Sequence, residues 1–191
     1  MVLGICLLAA ACGMAGIRWE AAQDIVGDSD VVTEGTLCYA FCWAGNATVN
    51  GVAFQYTGGQ GYIPNQDYQD VIFEDVWNGS HGSAFGTGMT SSAGFSANYV
   101  MLMTGAVLND GNDVKTVTLG NLTAGHSYLV QFWAHDARSD IGTYRYEALE
   151  DGTTLRYRNS AGLGQSVVGR FTAAGAKQAF ILSPGGNGFP A

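Results

Sequence analysis

Basic residues are scarce in this chain: 8 Lys and Arg stand against 16 Asp and Glu, for a formal net charge of −8. A nucleic-acid partner needs a basic footprint, and an acidic surface repels phosphate backbones and anionic lipid alike. No nucleic-acid role is therefore expected. Charge of either sign is thin at 13% of residues, roughly half the usual share. Proline is nearly missing at 3 residues, while glycine reaches 28 and aromatics 12%. That profile suits short strands joined by tight glycine turns. Catalytic signatures are also missing. His81, His126 and His135 fall in no His-Glu-x-x-His pattern, and no Gly-x-Ser-x-Gly elbow is present. His135 and Asp136 are neighbours, but adjacent strand residues face opposite ways. The expectation is a non-enzyme.

Only one long apolar run exists, MVLGICLLAAACGMAG at residues 1–16. It is too short to span a bilayer comfortably, so no transmembrane span is expected in the mature chain. It suits the apolar core of a secretory signal, with small residues for cleavage near Ala15 or Gly16. No Lys or Arg precedes it, so two other readings stay open: a buried first strand, and a lipoprotein acylation box at Ala9–Cys12. Removal of the leader would leave two cysteines, Cys38 and Cys42. In an extended segment they lie about 13 Å apart, beyond the roughly 7 Å a disulfide tolerates. They read as small core hydrophobes.

Residues 17–191 suit one domain with a substantial core. Its anchor is LGNLTAGHSYLVQFWAHDAR, residues 119–138. Tyr128, Val130, Phe132 and Ala134 make one apolar face, while Leu129, Gln131 and Trp133 break the alternation on the other, which predicts a central strand covered on both sides. Strands are also predicted at 35–43, 48–56, 71–77, 114–119, 144–148, 154–157, 165–172 and 177–182, after a first one beginning at Ile17. Asn50-Gly51 reads as a bulge or hairpin turn. Phe95, Tyr99, Leu102, Met103 and Ala106 recur at three and four behind Ser96, which predicts one short capped helix closing an open end. Residues 57–69 and 78–92 read as loops. The chain's end, SPGGNGFPA, is loop-like and leaves open a final strand after it. The expected fold is an all-β, two-sheet antiparallel sandwich of nine or ten strands with one short helix.

Four segments carry a resemblance: GDSDVVTEGTLCYAF, TVNGVAF, LGNLTAGHSYLVQFWAHDAR and VVGRFTAAGAKQAF. In this order they resemble the galactose-binding-like jelly-roll modules of bacterial exported surface proteins, of the kind that carry PEP-CTERM sorting tails. The resemblance covers residues 17 to 183, and its most specific piece is the Gly-x-x-Tyr strand ending in Asp136-x-Arg138. No sorting tail falls within these residues. The resemblance implies a secreted or cell-surface, glycan-associated, non-catalytic domain, and a structural calcium in an early loop.

Sugar recognition needs an aromatic face for C–H surfaces and planar polar groups for hydroxyls. The candidates are Tyr62, Tyr68, Trp77 and Phe85, with Asn65, Gln66, Asp67 and Asn78 beside them and Asp136 and Arg138 at the anchor strand's end. For calcium, which takes several carboxylate and carbonyl oxygens, the candidates are Asp24, Asp28, Asp30 and Glu34. The partner expected is a glycan or cell-surface polysaccharide. Two rivals stay open: a structural or adhesive surface module without a small ligand, and a glycan-active hydrolase, which would require converging carboxylates.

Overall fold

Alternation of bulky apolar residues with small or polar ones drives most of this chain into strands, and a computed structural model shows how they stack. It describes residues 2–8, 16–57, 61–79, 94–108, 114–136, 146–158 and 163–185, with side chains outside 2–8, 61–66, 75–79 and 106–108. The strands are β1 Val2–Leu8, β2 Arg18–Trp19, β3 Gln23–Asp24, β4 Thr36–Cys42, β5 Ala47–Val49, β6 Val52–Tyr56, β7 Gly61–Tyr68 and β8 Val71–Gly79. They continue as β9 Ala106–Leu108, β10 Lys115–Leu119, β11 Ser127–Ala134, β12 Tyr146–Ala148, β13 Thr154–Arg156, β14 Gln165–Thr172 and β15 Gln178–Gly185. One helix, α1, spans Ala97–Thr104.

An eight-stranded sheet runs in the order β2-β14-β11-β1-β4-β6-β5, with β3 also on β14. A seven-stranded sheet runs β13-β12-β15-β10-β8-β7, with β9 on β8. Their facing sides share one core, in which Trp19, Val130, Phe132 and Phe171 of the larger sheet meet Phe73, Val117, Phe180 and Leu182 of the smaller. Ring contacts cross the gap from Phe132 to Phe180 at 5.9 Å and from Phe41 to Phe73 at 6.2 Å. The all-β sandwich is therefore as the sequence led us to expect, with more strands than expected because several are only two or three residues long.

The anchor strand β11 is buried along nearly its whole length. On its outer side a second core collects Ile25, Val31, Ala40, Cys42, Val49, Phe54 and Trp133 under Tyr99, Leu102 and Met103 of α1. The helix starts where the sequence places its cap: Ser96 Oγ accepts the Tyr99 backbone N–H at 3.1 Å. It does not close an open end, however. It lies on the outer face of the larger sheet as a third layer, since its buried side chains meet the face of β4 and β11 that the other sheet leaves uncovered. Gln131 is buried in this layer. Its amide donates to the Asp30 carbonyl at 2.6 Å and accepts from Val32 N–H at 3.0 Å, fixing the loop that lies over β11.

Of the two readings open for Asn50-Gly51 the structure has the hairpin turn, both residues at positive φ (48° and 79°), as a two-residue turn requires. Three details depart from expectation. Because this hairpin sets its second strand beside β4, the β4–β6 pair is parallel and the sheet is mixed. Residues 61–68, read as loop, form β7. As an edge strand with one partner, β7 tolerates Pro64 and its many polar residues. β14 and β15 lie in opposite sheets, joined by the corner at Ala173–Lys177. Finally, only Cys42 is buried; Cys38 is exposed, at the point where the β1–β4 register skips a residue.

Within the apolar run, residues 2–8 form strand β1. β1 lies between β4 and β11 and pairs antiparallel with both. An uncharged run suits a strand covered on both faces as well as it suits a leader.

Candidate functional site

The β7–β8 hairpin gathers most of the candidate sugar-binding residues. Its register runs from Gly61 opposite Asn78 to Tyr68 opposite Val71, which puts Tyr62 opposite Trp77 and Asn65 opposite Glu74. Trp77 is also opposite Leu108 of β9. By strand parity Tyr62, Gln66, Tyr68 and Trp77 fall on the face that carries Val71 and Phe73 into the core, and Asn65, Asp67 and Asn78 fall on the other. The structure thus brings Tyr62 and Trp77 together, with Gln66 on the same parity, and divides them from Asn65, Asp67 and Asn78. Tyr68 packs against Trp43 at 5.7 Å, Phe41 at 5.8 Å and Phe73 at 6.3 Å. It roots the hairpin in the core instead of standing in a loop. Phe85 and Arg138 lie outside the described residues.

Three of the acids proposed for calcium, Asp24, Asp30 and Glu34, have separate partners, and Asp28 opens the short 3-10 turn Asp28–Asp30, its backbone carbonyl accepting from Val31 N–H at 3.2 Å. Asp30 Oδ2 accepts the backbone N–H of Val26 at 2.9 Å and of Gly27 at 3.0 Å, and the buried hydroxyl of Tyr99 at 2.6 Å. Burial first, then this contact with Asp30, pushes the Tyr99 hydroxyl far above its ordinary pKa. Asp24 accepts from Gln165 at 2.9 Å. Glu34 takes a two-pronged grip from Arg170, both bonds 2.8 Å, and those hydrogen bonds hold its carboxyl below the usual range. Arg170 also reaches Glu20 at 2.8 Å. Among the described residues no three metal-binding side chains converge.

Asp136, two residues past the end of β11, is buried, its backbone N–H donating to the Tyr157 carbonyl at 3.0 Å. Close by in the fold is a polar cluster that our sequence reading missed. Lys115 of β10 and Glu147 of β12 form an ion pair, and the Tyr157 hydroxyl donates to the same Glu147 oxygen. Both charged side chains are almost fully buried, at 3% and 1% exposure. β15 lies between their strands, pairing Leu182 with Lys115 and Pro184 with Glu147. Lys115 shares the face of Val117 and Leu119, all three buried. A lysine at the inward position of an alternating strand was the signal that could have found the pair. Chemically, the arrangement neutralises two buried charges.

A third phenol–carboxylate pair lies nearer solvent, where Tyr39 donates to Asp70 at 2.9 Å. Burial, and after it the hydrogen bond to Asp70 and then that carboxylate's charge, push the Tyr39 hydroxyl up to about 12. A raised phenol favours folding while it is neutral. Its contribution is whole below the unfolded value of about 10 and is lost as pH rises through about 12. Asp70→Asn is expected to lower the Tyr39 titration only part of the way, since burial is the larger cause. Ultraviolet difference titration against Tyr39→Phe checks this, and a full return to the ordinary phenol value would refute it.

These features define an all-β sandwich with an outer helical layer. Compared with known families, curated proteins and solved structures, the chain matches none of them. No helix among the described residues is long and apolar enough to cross a membrane.

Proposed function

We propose that this chain is a non-catalytic, carbohydrate-binding-like β-sandwich module of the galactose-binding-like jelly-roll kind. It works outside the cell or at its surface, on a glycan or a surface polysaccharide. The observation that carries the reading is the cross-strand register of Tyr62 with Trp77, at the end of an edge hairpin away from its turn and on the parity that Val71 and Phe73 carry into the core. Two aromatic residues directly opposed on neighbouring strands stand about 5 Å apart at their Cβ atoms, a spacing that suits a pyranose-sized apolar face. Gln66 shares their parity.

The test is a broad glycan array probed with the full chain, with and without calcium. Saturable binding is expected, lost in Tyr62→Ala and Trp77→Ala while the thermal melt is kept. Calcium-dependent binding would add the structural ion at Asp24, Asp28, Asp30 and Glu34 to the reading. No saturable binding by folded protein in either condition would sink it. A structural or adhesive surface module is the second reading, favoured by β7, an eight-residue strand at the edge of its sheet.

A further inference from the structure

β1 occupies a place that two other strands define. β4 and β11 are both antiparallel to it and hence parallel to each other. Two strand spacings, roughly 10 Å, separate them. The place is built for one kind of occupant. At Leu3 and Ile5 it is flanked by Phe41 with Phe132 and by Tyr39 with Val130, on the side of the shared core. At Gly4 it is flanked by Ala40 and Gln131, on the side of the outer layer. Around Leu3–Ile5 both faces are covered, so those positions of the occupant must be uncharged; toward Cys6 and Leu7 the β4 flank, Thr36 and Leu37, is exposed, and Val2–Leu8 is uncharged throughout.

The same seven residues carry the apolar heart of the segment that reads as an export leader, and the inference rests on that export reading. A leader cut near Ala15 or Gly16 takes the strand away with it. The N–H and C=O groups of β4 and β11 that face β1 would then be unpaired in the middle of a covered sheet, and each orphaned group is costly. Closing the gap is no remedy. Direct β4–β11 contact would need a new parallel register, and it would drag Ala40 and Cys42 against the packing they share with Trp133 beneath α1.

We propose that the exported form holds a strand-acceptor site between β4 and β11. It takes, from another polypeptide, an uncharged apolar segment of about seven residues running antiparallel to both flanking strands, as edge-to-strand recognition does elsewhere. The residues that read the segment are Tyr39, Phe41, Val130 and Phe132 on one face and Ala40 and Gln131 on the other.

The experiment starts from the folded full chain, with a protease recognition sequence substituted for residues 9–15 and cut after folding. A labelled Val2–Leu8 peptide with a solubilising lysine tail is then offered in excess, and anisotropy and amide exchange are followed. The expected result is exchange of the label into the cut chain and not into the uncut one. Amides of 36–42 and 127–134 should be protected only while the place is filled. Ile5→Asp in the peptide should abolish uptake. Failure of the cut chain to take up the peptide, or protection of those amides after β1 has been removed, would overturn the proposal. Self-association of the stripped chain in place of capture would also overturn it, by giving the place to a second copy. Sequencing the N-terminus of the exported protein tests the export reading separately: a start near Ala15 or Gly16 supports it, and a retained Val2–Leu8 removes the opening step.

Discussion

Glu147→Ala is expected to destabilise the protein by about 3–5 kcal/mol, because it strands the Lys115 ammonium inside an apolar core. Lys115 is 3% exposed and its ion-pair partner is Glu147. Lys115→Ala should cost about the same for the mirror reason, since it leaves a buried carboxylate held by Tyr157 alone. The informative variant is the double one. Lys115→Met with Glu147→Leu removes both charges and keeps the volume, and it should recover most of the loss, leaving about 1–3 kcal/mol for the Tyr157 hydroxyl that has lost its acceptor. Adding Tyr157→Phe should recover much of that remainder. Urea unfolding of the four variants checks the series, with an unchanged m-value required for the comparison. If the single and double variants are equally unstable, the pair is not coupled in the way the structure draws it.

This cluster also shows where sequence reading stops. Local signals were legible: the Ser96 cap, the Asn50-Gly51 turn and the two-sided burial of β11 each depend on residues within a few positions of one another. Partnership across the fold was not. Lys115 and Glu147 are 32 residues apart, Glu34 and Arg170 are 136 apart, and Asp24 and Gln165 are 141 apart. Nothing in the neighbourhood of Asp24, Asp30 or Glu34 says that each carboxylate is satisfied by a different distant donor, so four acids in one stretch read as one ligand set. The same blindness applied to sheet membership. β14 and β15 are consecutive strands either side of a glycine turn, a pattern that a hairpin and a sheet-crossing corner share. Tyr68 was misread for another reason: β7 is polar because it is an edge, and polarity without clean alternation reads as loop. Of the sugar-site candidates, the Tyr62–Trp77 juxtaposition required the register of β7 on β8, which no local pattern sets.

The two-sided burial of β11 has a mutational signature that separates it from an ordinary sandwich strand. Phe132→Ala and Trp133→Ala are each expected to cost about 3–5 kcal/mol, as large aromatic truncations in packed cores do. Phe132 lies between the sheets, 5.5 Å from Trp19 and 5.9 Å from Phe180. Trp133 faces the other way, 6.2 Å from Phe54, in the core that α1 covers. In β15, by contrast, only one parity faces a core: Phe180 is buried and Ile181 is 45% exposed. Ile181→Ala should therefore change stability by only about 0.5 kcal/mol, the scale of ordinary surface substitutions. Adjacent residues of one strand that are both costly, against adjacent residues of another that are not, can arise only if the larger sheet is covered on both sides. A near-neutral Trp133→Ala would remove the outer layer from the account, and with it the reason that any strand lying between β4 and β11 must be apolar on both faces.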